Sequence, residues 1–432
     1  MLPEPKKRGI LFLAYYYPPI HSIAVWRNYF LAEAMHASGN SVAVVTSSIQ
    51  KKVQKPLGGL SIIEIPAFDY RSFRQKYLSK SGFHYTEDEK KSWFRKSAIR
   101  IINSFPFNII LGEGGLKYIY NAYQYGKQQV ENGKISHIYS SYRPMADHYL
   151  AWLLKRKYPQ LHWTADFRDL PFDRVYRLYY GYRFQTWVLR KLLEKADLVT
   201  SFSEGIAFTL SKEIRQKMIH IPNGIFYNPD AQTIALCKHF TISYTGSLFQ
   251  EERSPANFFS LINEMIENKE IDVRDFQIVY AGKDGSQWMN IARQYGLETV
   301  CINEGFLSHL ESRMIQQSSH INLMLSSSHP EFKGVFTGKF FEYLSASRPI
   351  LSFISGDKDD ELQSAFDKYN LGMISFSNAT RSELAKAFIL QLYQNWQNTG
   401  ACPYTFSEDL EKDFSWTRSI NIWESNLHIS NI

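Results

Sequence analysis

The chain has 432 residues, 44% of them hydrophobic and 21% charged, which is too long for one ordinary core and too apolar for a disordered segment. Its formal net charge of +7 is unevenly placed: residues 1–230 hold 33 Lys and Arg against 18 Asp and Glu, the remainder 16 against 24. The split predicts two domains, the first carrying a positive field suited to an anionic membrane surface or a phosphate-bearing acceptor. No nucleic-acid recognition motif accompanies the charge, so no nucleic-acid partner is expected.

The opening "MLPEPKKRGILFLAYYYPP" has the basic-then-apolar order of a signal peptide. Its apolar run is short, meets Pro18-Pro19 quickly and lacks a small-residue cleavage site, so a first buried strand is expected. "VWRNYFLAEAMHASG" (25–39) follows as a helix stopped by Gly39, then "SVAVVTS" (41–47) as the next strand. Residues 70–130 break this rhythm with a basic and aromatic excursion that includes Trp93 and Phe94. It reads as a solvated helical insertion or as a surface that dips into a membrane. "SHIYSSY" (136–142), "HWTADF" (162–167) and "DLVTSFS" (197–203) resume the alternation, which predicts a parallel, doubly wound sheet.

The first unit is expected to span 1–225 and to end in the Pro/Asn/Gly turn of "IHIPNGIFYNPDAQTIALCKHF", with 226–240 as an irregular linker. A second alternating unit over 241–404 contains "FTISYTGS", "FQIVYAGKDG", "HINLMLSS" and "PILSFIS". The tail 405–432 carries "FSEDLEKDFSWTRSINIWESNL", read as one helix with Trp416, Ile420 and Trp423 on one side. Cys237, Cys301 and Cys402 fit neither a disulfide framework nor a zinc site and read as buried thiols of a reducing, cytoplasmic compartment.

"HPEFKGVFTGKFFEYLSASRPIL" (329–351) places a Gly-Lys pair at the mouth of a helix. It is not a Walker phosphate loop: only three residues separate Gly334 from Gly338 where four are needed, and Phe340 stands where Ser or Thr would hold magnesium. A Thr-Gly turn opening a helix still offers free backbone N–H groups and the positive end of the dipole to an anion. Thr337 adds a hydroxyl, Gly338 allows close approach and Lys339 a full charge, while Glu342 shares the face of Lys339 and can accept ribose hydroxyls. An ordinary Lys-Glu helix pair fits the same spacing. Asp357-Lys358-Asp359 is the single D-x-D and reads as solvated surface.

"GVFTGKFFEYLSASRPIL" resembles the donor-binding segment of glycosyltransferase family 4, and "WTADFRDLPFD" (163–173) an "ADFRD" segment of one bacterial branch. "ADLVTSFSEG", "IPNGI", "YTGSLFQEERSP" and "FSW" fall in the expected order. The resemblance implies an α/β, GT-B fold of two Rossmann-like domains facing a cleft, the sugar nucleotide mainly on the second and the last helix returning to the first. It implies a retaining, metal-independent transferase with no cofactor, using a UDP- or GDP-sugar on a glycan or lipid-linked acceptor, in the cytoplasm and peripheral to the inner face of the membrane. By the same likeness Glu342 holds the ribose, and Thr337, Gly338 and Lys339 hold the pyrophosphate. "YTGSLFQEERSP" takes the place of the phosphate clamp; Gly246 lies in it, Ser247 replaces the usual Arg, and Arg253 is left as the positive charge. Gly282, Lys283 and the Gly305-Phe306 segment fall near the base.

On the acceptor side, His21 and Ser22 stand where many family members have glycines, and Tyr142 and Arg143 reach the same edge. Arg168 replaces a sugar-contacting His, with Lys339, Arg253 and Asp169 completing the catalytic candidates. Asp166 and Asp169 orient hydroxyls, or Asp169 pairs with Arg168 structurally. The family's first glutamate falls at Gly334, with Glu331 nearby but out of register. Two alternatives stand beside the transferase: a sugar-nucleotide epimerase of the same architecture, and an inactive scaffold that kept the fold.

Overall fold

The structure is a computed structural model. It describes residues 8–18, 23–48, 53–57, 59–68, 97, 100–169, 171, 179–207, 210–225, 234–248, 254–328, 336, 338–376 and 382–427. Two compact units emerge: Met1–Gly224 with Trp416–Ile432, and Ile225–Ser415.

In chain order the first unit runs β1 (Gly9–Leu13), α1 (Ile23–Ala37), β2 (Ser41–Ser48), β3 (Val53–Leu57), β4 (Leu60–Pro66), α2 (Phe107–Ile110), α3 (Gly115–Glu131), β5 (His137–Tyr142), α4 (Met145–Lys157), β6 (His162–Phe167), α5 (Tyr182–Leu193), β7 (Leu198–Ser201) and β8 (Met218–His220). Its eight strands lie in the order β3-β4-β2-β1-β5-β6-β7-β8, parallel except for the β3/β4 hairpin. Strands such as "ILFL" and "LVTS" are buried along their length, as a sheet covered by helices on both faces requires. The core gathers Phe12, Tyr139, Leu31, Met35 and Val44.

The second unit runs β9 (Phe240–Thr245), α6 (Ala256–Glu267), β10 (Phe276–Ala281), α7 (Gly285–Gln294), β11 (Cys301–Gly305), α8 (His309–Ser318), β12 (Ile321–Ser328), α9 (Gly338–Ala346), β13 (Ile350–Gly356), α10 (Asp360–Tyr369), β14 (Gly372–Phe376) and α11 (Ser382–Thr399). Its six parallel strands are ordered β11-β10-β9-β12-β13-β14. In both sheets the strand order reverses next to the first strand, between β1 and β5 and between β9 and β12. An open crevice at the carboxyl ends of the strands is expected at each such switch.

The tail is not one helix. A five-residue helix at Asp409–Asp413 ends at Phe414, and α12 (Trp416–Asn426) then packs on α1 in the first unit. Ile420 and Trp423 are buried, Trp423 Nε1 donates to Thr164 Oγ1 at 3.0 Å, and Ser419 Oγ donates to the Pro222 carbonyl at 2.8 Å. A Cβ on Gly224 would lie 2.5 Å from the Trp416 ring, so the glycine of "IPNGI" is what lets the indole approach the turn. Five strands differ from expectation: β3, β4, β8, β11 and β14 were not anticipated, and β8 and β11 are short edge strands without an alternating apolar pattern.

Asp147, at the start of α4, is fully buried and accepts hydrogen bonds from Tyr15 N and Tyr118 Oη, both at 2.8 Å. Burial pushes its carboxyl from 3.8 up to about 7. The folded state therefore holds a proton that the unfolded chain has lost. The stability this supplies is full below about pH 4 and disappears as pH rises through about 7. The neighbouring His148 works the other way: burial pushes it down to about 3, so its contribution is lost as pH falls from about 6.5 to about 3. Asp147→Asn should remove only the first effect. In denaturant unfolding, the variant should gain more than about 1 kcal/mol relative to wild type on going from pH 4.5 to 7.5. An equal difference at both pH values would show that Asp147 does not titrate in this window.

Candidate active site

The strongest convergence of polar side chains in the second unit lies at its switch point. Thr245 closes β9, while α9 opens at Gly338 beyond the end of β12. Phe340, Phe341, Tyr343 and Leu344 anchor α9 in the core and leave Lys339 and Glu342 on the opposite face. Lys339 Nζ donates to Glu342 Oε2 at 2.7 Å and to Thr245 Oγ1 at 3.2 Å. Gln316 Nε2 donates to the same Thr245 hydroxyl at 2.7 Å and reaches Glu342 Oε2 at 3.4 Å. His309 Nε2 lies 3.8 Å from Glu342 Oε1, and Arg313, whose pKa burial pulls down, feels the same carboxylate. One acidic group is thus ringed by basic side chains beside a helix N-terminus, a neighbourhood that attracts anions.

The adjoining turn is held from below by aromatic hydroxyls. Tyr280 Oη donates to the Gly246 carbonyl at 3.0 Å, and Tyr244 Oη donates to the Ser247 carbonyl at 2.9 Å. Trp288 stacks on both tyrosines, at 5.4 Å from Tyr244 and 4.9 Å from Tyr280. Gly246 has φ +149, and a Cβ there would stand 3.0 Å from Lys339 Cε. At Gly282 a Cβ would fall 2.0 Å from the Gly246 carbonyl oxygen and 2.4 Å from Tyr280 Oη. Gly246 is thus favoured by its positive φ, and Gly282 is required by close approach to the backbone of the turn. Phe306, beyond β11, is 83% exposed, and none of the hydrogen bonds of the Lys339 cluster involves it.

In the first unit the corresponding edge is formed after β1, β5 and β6. The chain leaving β1 is pinned by Thr46 and Ser47 hydroxyls donating to the Tyr15 carbonyl at 3.1 and 2.8 Å, and by Asn28 Nδ2 donating to the Tyr16 carbonyl at 2.9 Å. Arg168 packs its guanidinium over the Tyr16 ring at 5.4 Å and donates through Nη2 to the Arg143 carbonyl at 2.6 Å. Its Nε and Nη1 are buried and find no hydrogen-bond partner among the described residues. Arg143 is 41% exposed and lies 3.5 Å from the buried carboxylate of Glu113. Asp169 is exposed beside this group and feels the charges of Arg168 and Arg143, while Arg168 directs Nη2 to a backbone carbonyl. The Tyr142 hydroxyl is turned inward to the Pro171 carbonyl at 3.0 Å.

Asp166 has a different setting from the one expected. It is fully buried, accepts Arg27 Nε and Nη2 at 3.1 and 2.7 Å, and accepts the Thr200 hydroxyl at 2.7 Å. Its oxygens face inward, where they fix Arg27, which in turn donates to the Ile221 carbonyl at 3.2 Å and to Asn223 Oδ1 at 2.6 Å. Asp359 of the D-x-D is likewise not solvated surface. It is buried and caps α10, accepting from the backbone N–H groups of Glu361 and Leu362. His21, Ser22, Arg253, Thr337, Trp93, Phe94, Glu331 and Gly334 lie outside the described residues. Sequence reading did not single out Thr245, Gln316, His309, Arg313, Arg27 or Glu113. Of these, Thr245, inside "YTGS", and Arg27, inside "VWRNYF", lay in segments that the sequence reading quoted.

The two doubly wound units define a GT-B fold, and solved structures with that architecture match over nearly the whole chain. Sucrose-phosphate synthase from Thermosynechococcus elongatus is similar with a TM-score of 0.59 and 12% identity, covering 98% of this chain and 99% of that one. A UDP-forming α,α-trehalose-phosphate synthase from Burkholderia xenovorans gives a TM-score of 0.53 and 10% identity, covering 98% and 100%. The lipopolysaccharide outer core galactosyltransferase WaaB gives 0.50 and 13%, covering 96% and 99%. No protein-family model and no curated protein sequence matches the chain.

Asp166→Ala would leave the buried Arg27 charge uncompensated and should lower stability by about 3–5 kcal/mol in denaturant unfolding. Gly282→Ala should destabilise by at least about 1–3 kcal/mol, since the added carbon meets a backbone oxygen. A neutral effect of either would contradict the packing described.

Proposed function

We propose that the protein is a retaining glycosyltransferase that moves a hexose from a UDP- or GDP-sugar to an acceptor hydroxyl. The acceptor belongs to bacterial surface polysaccharide or glycolipid, and the enzyme works at the cytoplasmic face of the membrane. The observation that carries this reading is the Lys339–Glu342–Thr245–Gln316 cluster at the mouth of α9, at the switch point of a GT-B sheet. The names of the similar solved structures, a sucrose-phosphate synthase, a UDP-forming trehalose-phosphate synthase and a lipopolysaccharide galactosyltransferase, support sugar transfer. Retention of configuration and the absence of a metal requirement rest on the resemblance to family 4.

In this reading the diphosphate lies across the N-terminus of α9. As the bond from the anomeric carbon to the phosphate oxygen breaks, negative charge grows on the leaving diphosphate. Lys339 and the first N–H groups of α9 stabilise it from fixed positions, with Arg253 as a further cation. Glu342 accepts the ribose hydroxyls, and Gln316 and Thr245 hold Lys339 and Glu342 in register. Arg168, with two hydrogen-bond donors unsatisfied, and Arg143 and Asp169 at the edge of the first sheet, serve the acceptor side.

Calorimetric titration with UDP, GDP, CMP and ATP in the absence of metal tests the donor site. One of the diphosphates UDP and GDP should bind, and Glu342→Ala should weaken it about tenfold, the loss of hydrogen bonds to one charged acceptor. Release of that diphosphate from its sugar should then require an acceptor. Interconversion of the free sugar nucleotide would indicate the epimerase instead, and no diphosphate binding by the folded protein would leave a scaffold.

A further inference from the structure

The first unit contains a groove of about 290 Å³ that belongs to neither cluster. Its walls are almost wholly apolar, among them Phe105, Ile109, Met145, Trp152, Phe184 and Trp187. Phe184 and Trp187 are each half exposed and stack at 6.0 Å, and Phe184 also meets Phe105 at 6.1 Å. Both stand on α5, whose twelve residues include Arg183, Arg190 and Lys191 and no acid. Glu194, just beyond, is shared by Lys191 at 3.0 Å and Arg190 at 4.0 Å, so the helix end stays net positive. Ile101, Phe107, Ile110 and Leu111, on the segment that supplies Phe105 and Ile109 to the groove, are exposed as well.

Half-exposed aromatic rings bordering an apolar groove mark an interaction site. Its occupant is indicated by charge: two copies of a cationic face repel each other, whereas an anionic surface is attracted to it. Indole and phenyl groups half out of the fold, flanked by long basic side chains, suit the boundary between lipid headgroups and chains. We propose that α5 and the segment 101–111 dock on an anionic bilayer, with Phe184 and Trp187 entering the interface and one lipid chain occupying the groove. This deepens the reading of an enzyme working at a membrane and rests on it only for its purpose. Docking is measured without nucleotide or acceptor, so either idea can fail alone.

The full chain is mixed with vesicles of equal parts phosphatidylglycerol and phosphatidylcholine, and with phosphatidylcholine alone, and sedimented. Wild type should bind the anionic vesicles, less so at high salt, and Phe184→Ser with Trp187→Ser should bind about tenfold more weakly. Brominated phosphatidylglycerol should quench tryptophan fluorescence in wild type and less in Trp187→Phe, a variant that keeps the packing. No binding of wild type to anionic vesicles, equal binding by the double variant, or equal quenching in Trp187→Phe would overturn the proposal. So would a wild-type dimer that Phe184→Ser with Trp187→Ser dissociates, since the face would then belong to a second copy.

Discussion

Two-sided burial of parallel strands is the constraint from which the remaining features follow. "ILFL", "FTISYT" and "LVTS" have no face for water, so helices must cover both sides of each sheet. The chain can place helices on both sides only by reversing its strand order once. The reversal leaves a gap beside the first strand, between β1 and β5 in one unit and between β9 and β12 in the other. Residues that leave those strand ends are where polar chemistry can be exposed without opening the core.

The two gaps are finished differently. In the second unit the polar groups stay close to the surface: Lys339 and Glu342 are 21% and 12% exposed, near enough to water for a ligand to reach. In the first unit the acid of β6 is drawn inward and closed by Arg27 and Thr200, and the charged groups that remain accessible, Arg143 and Asp169, lie one layer further out. The buried Arg27–Asp166 pair thus acts as the floor of that edge. Arg27 also fastens α1 to the "IPNGI" turn, so the same pair links three segments distant in sequence.

Much of this was readable from residue patterns. The strands with continuous apolar runs were identifiable, and the face shared by Lys339 and Glu342 followed from their spacing of three. What could not be read was whatever depends on contacts across the fold. Nothing near Gln316 announces that its amide will meet Thr245, 71 residues away. The sequence "ADFRD" shows two acids without showing that one faces Arg27 and the other faces outward. Asp359 resembled a solvated acid because a helix cap and a surface carboxylate look alike until the helix start is known. "CINEG" has too few apolar residues to announce a strand, since an edge position does not demand them.

The attachment of α12 to the first unit also bears on how the chain is made. Residues 225–415 are synthesised before Trp416–Asn426, so the second unit can complete its core while the first still lacks Ile420 and Trp423. Until then the surfaces around Leu31 and Tyr139, which those side chains cover, and the open carboxamide of Asn40, which bonds Glu424 at 3.0 Å, remain wet. The second unit can therefore close ahead of the first, whereas in the usual order during translation the N-terminal domain is finished first. The first unit can close its core only once Trp416–Asn426 is available to it.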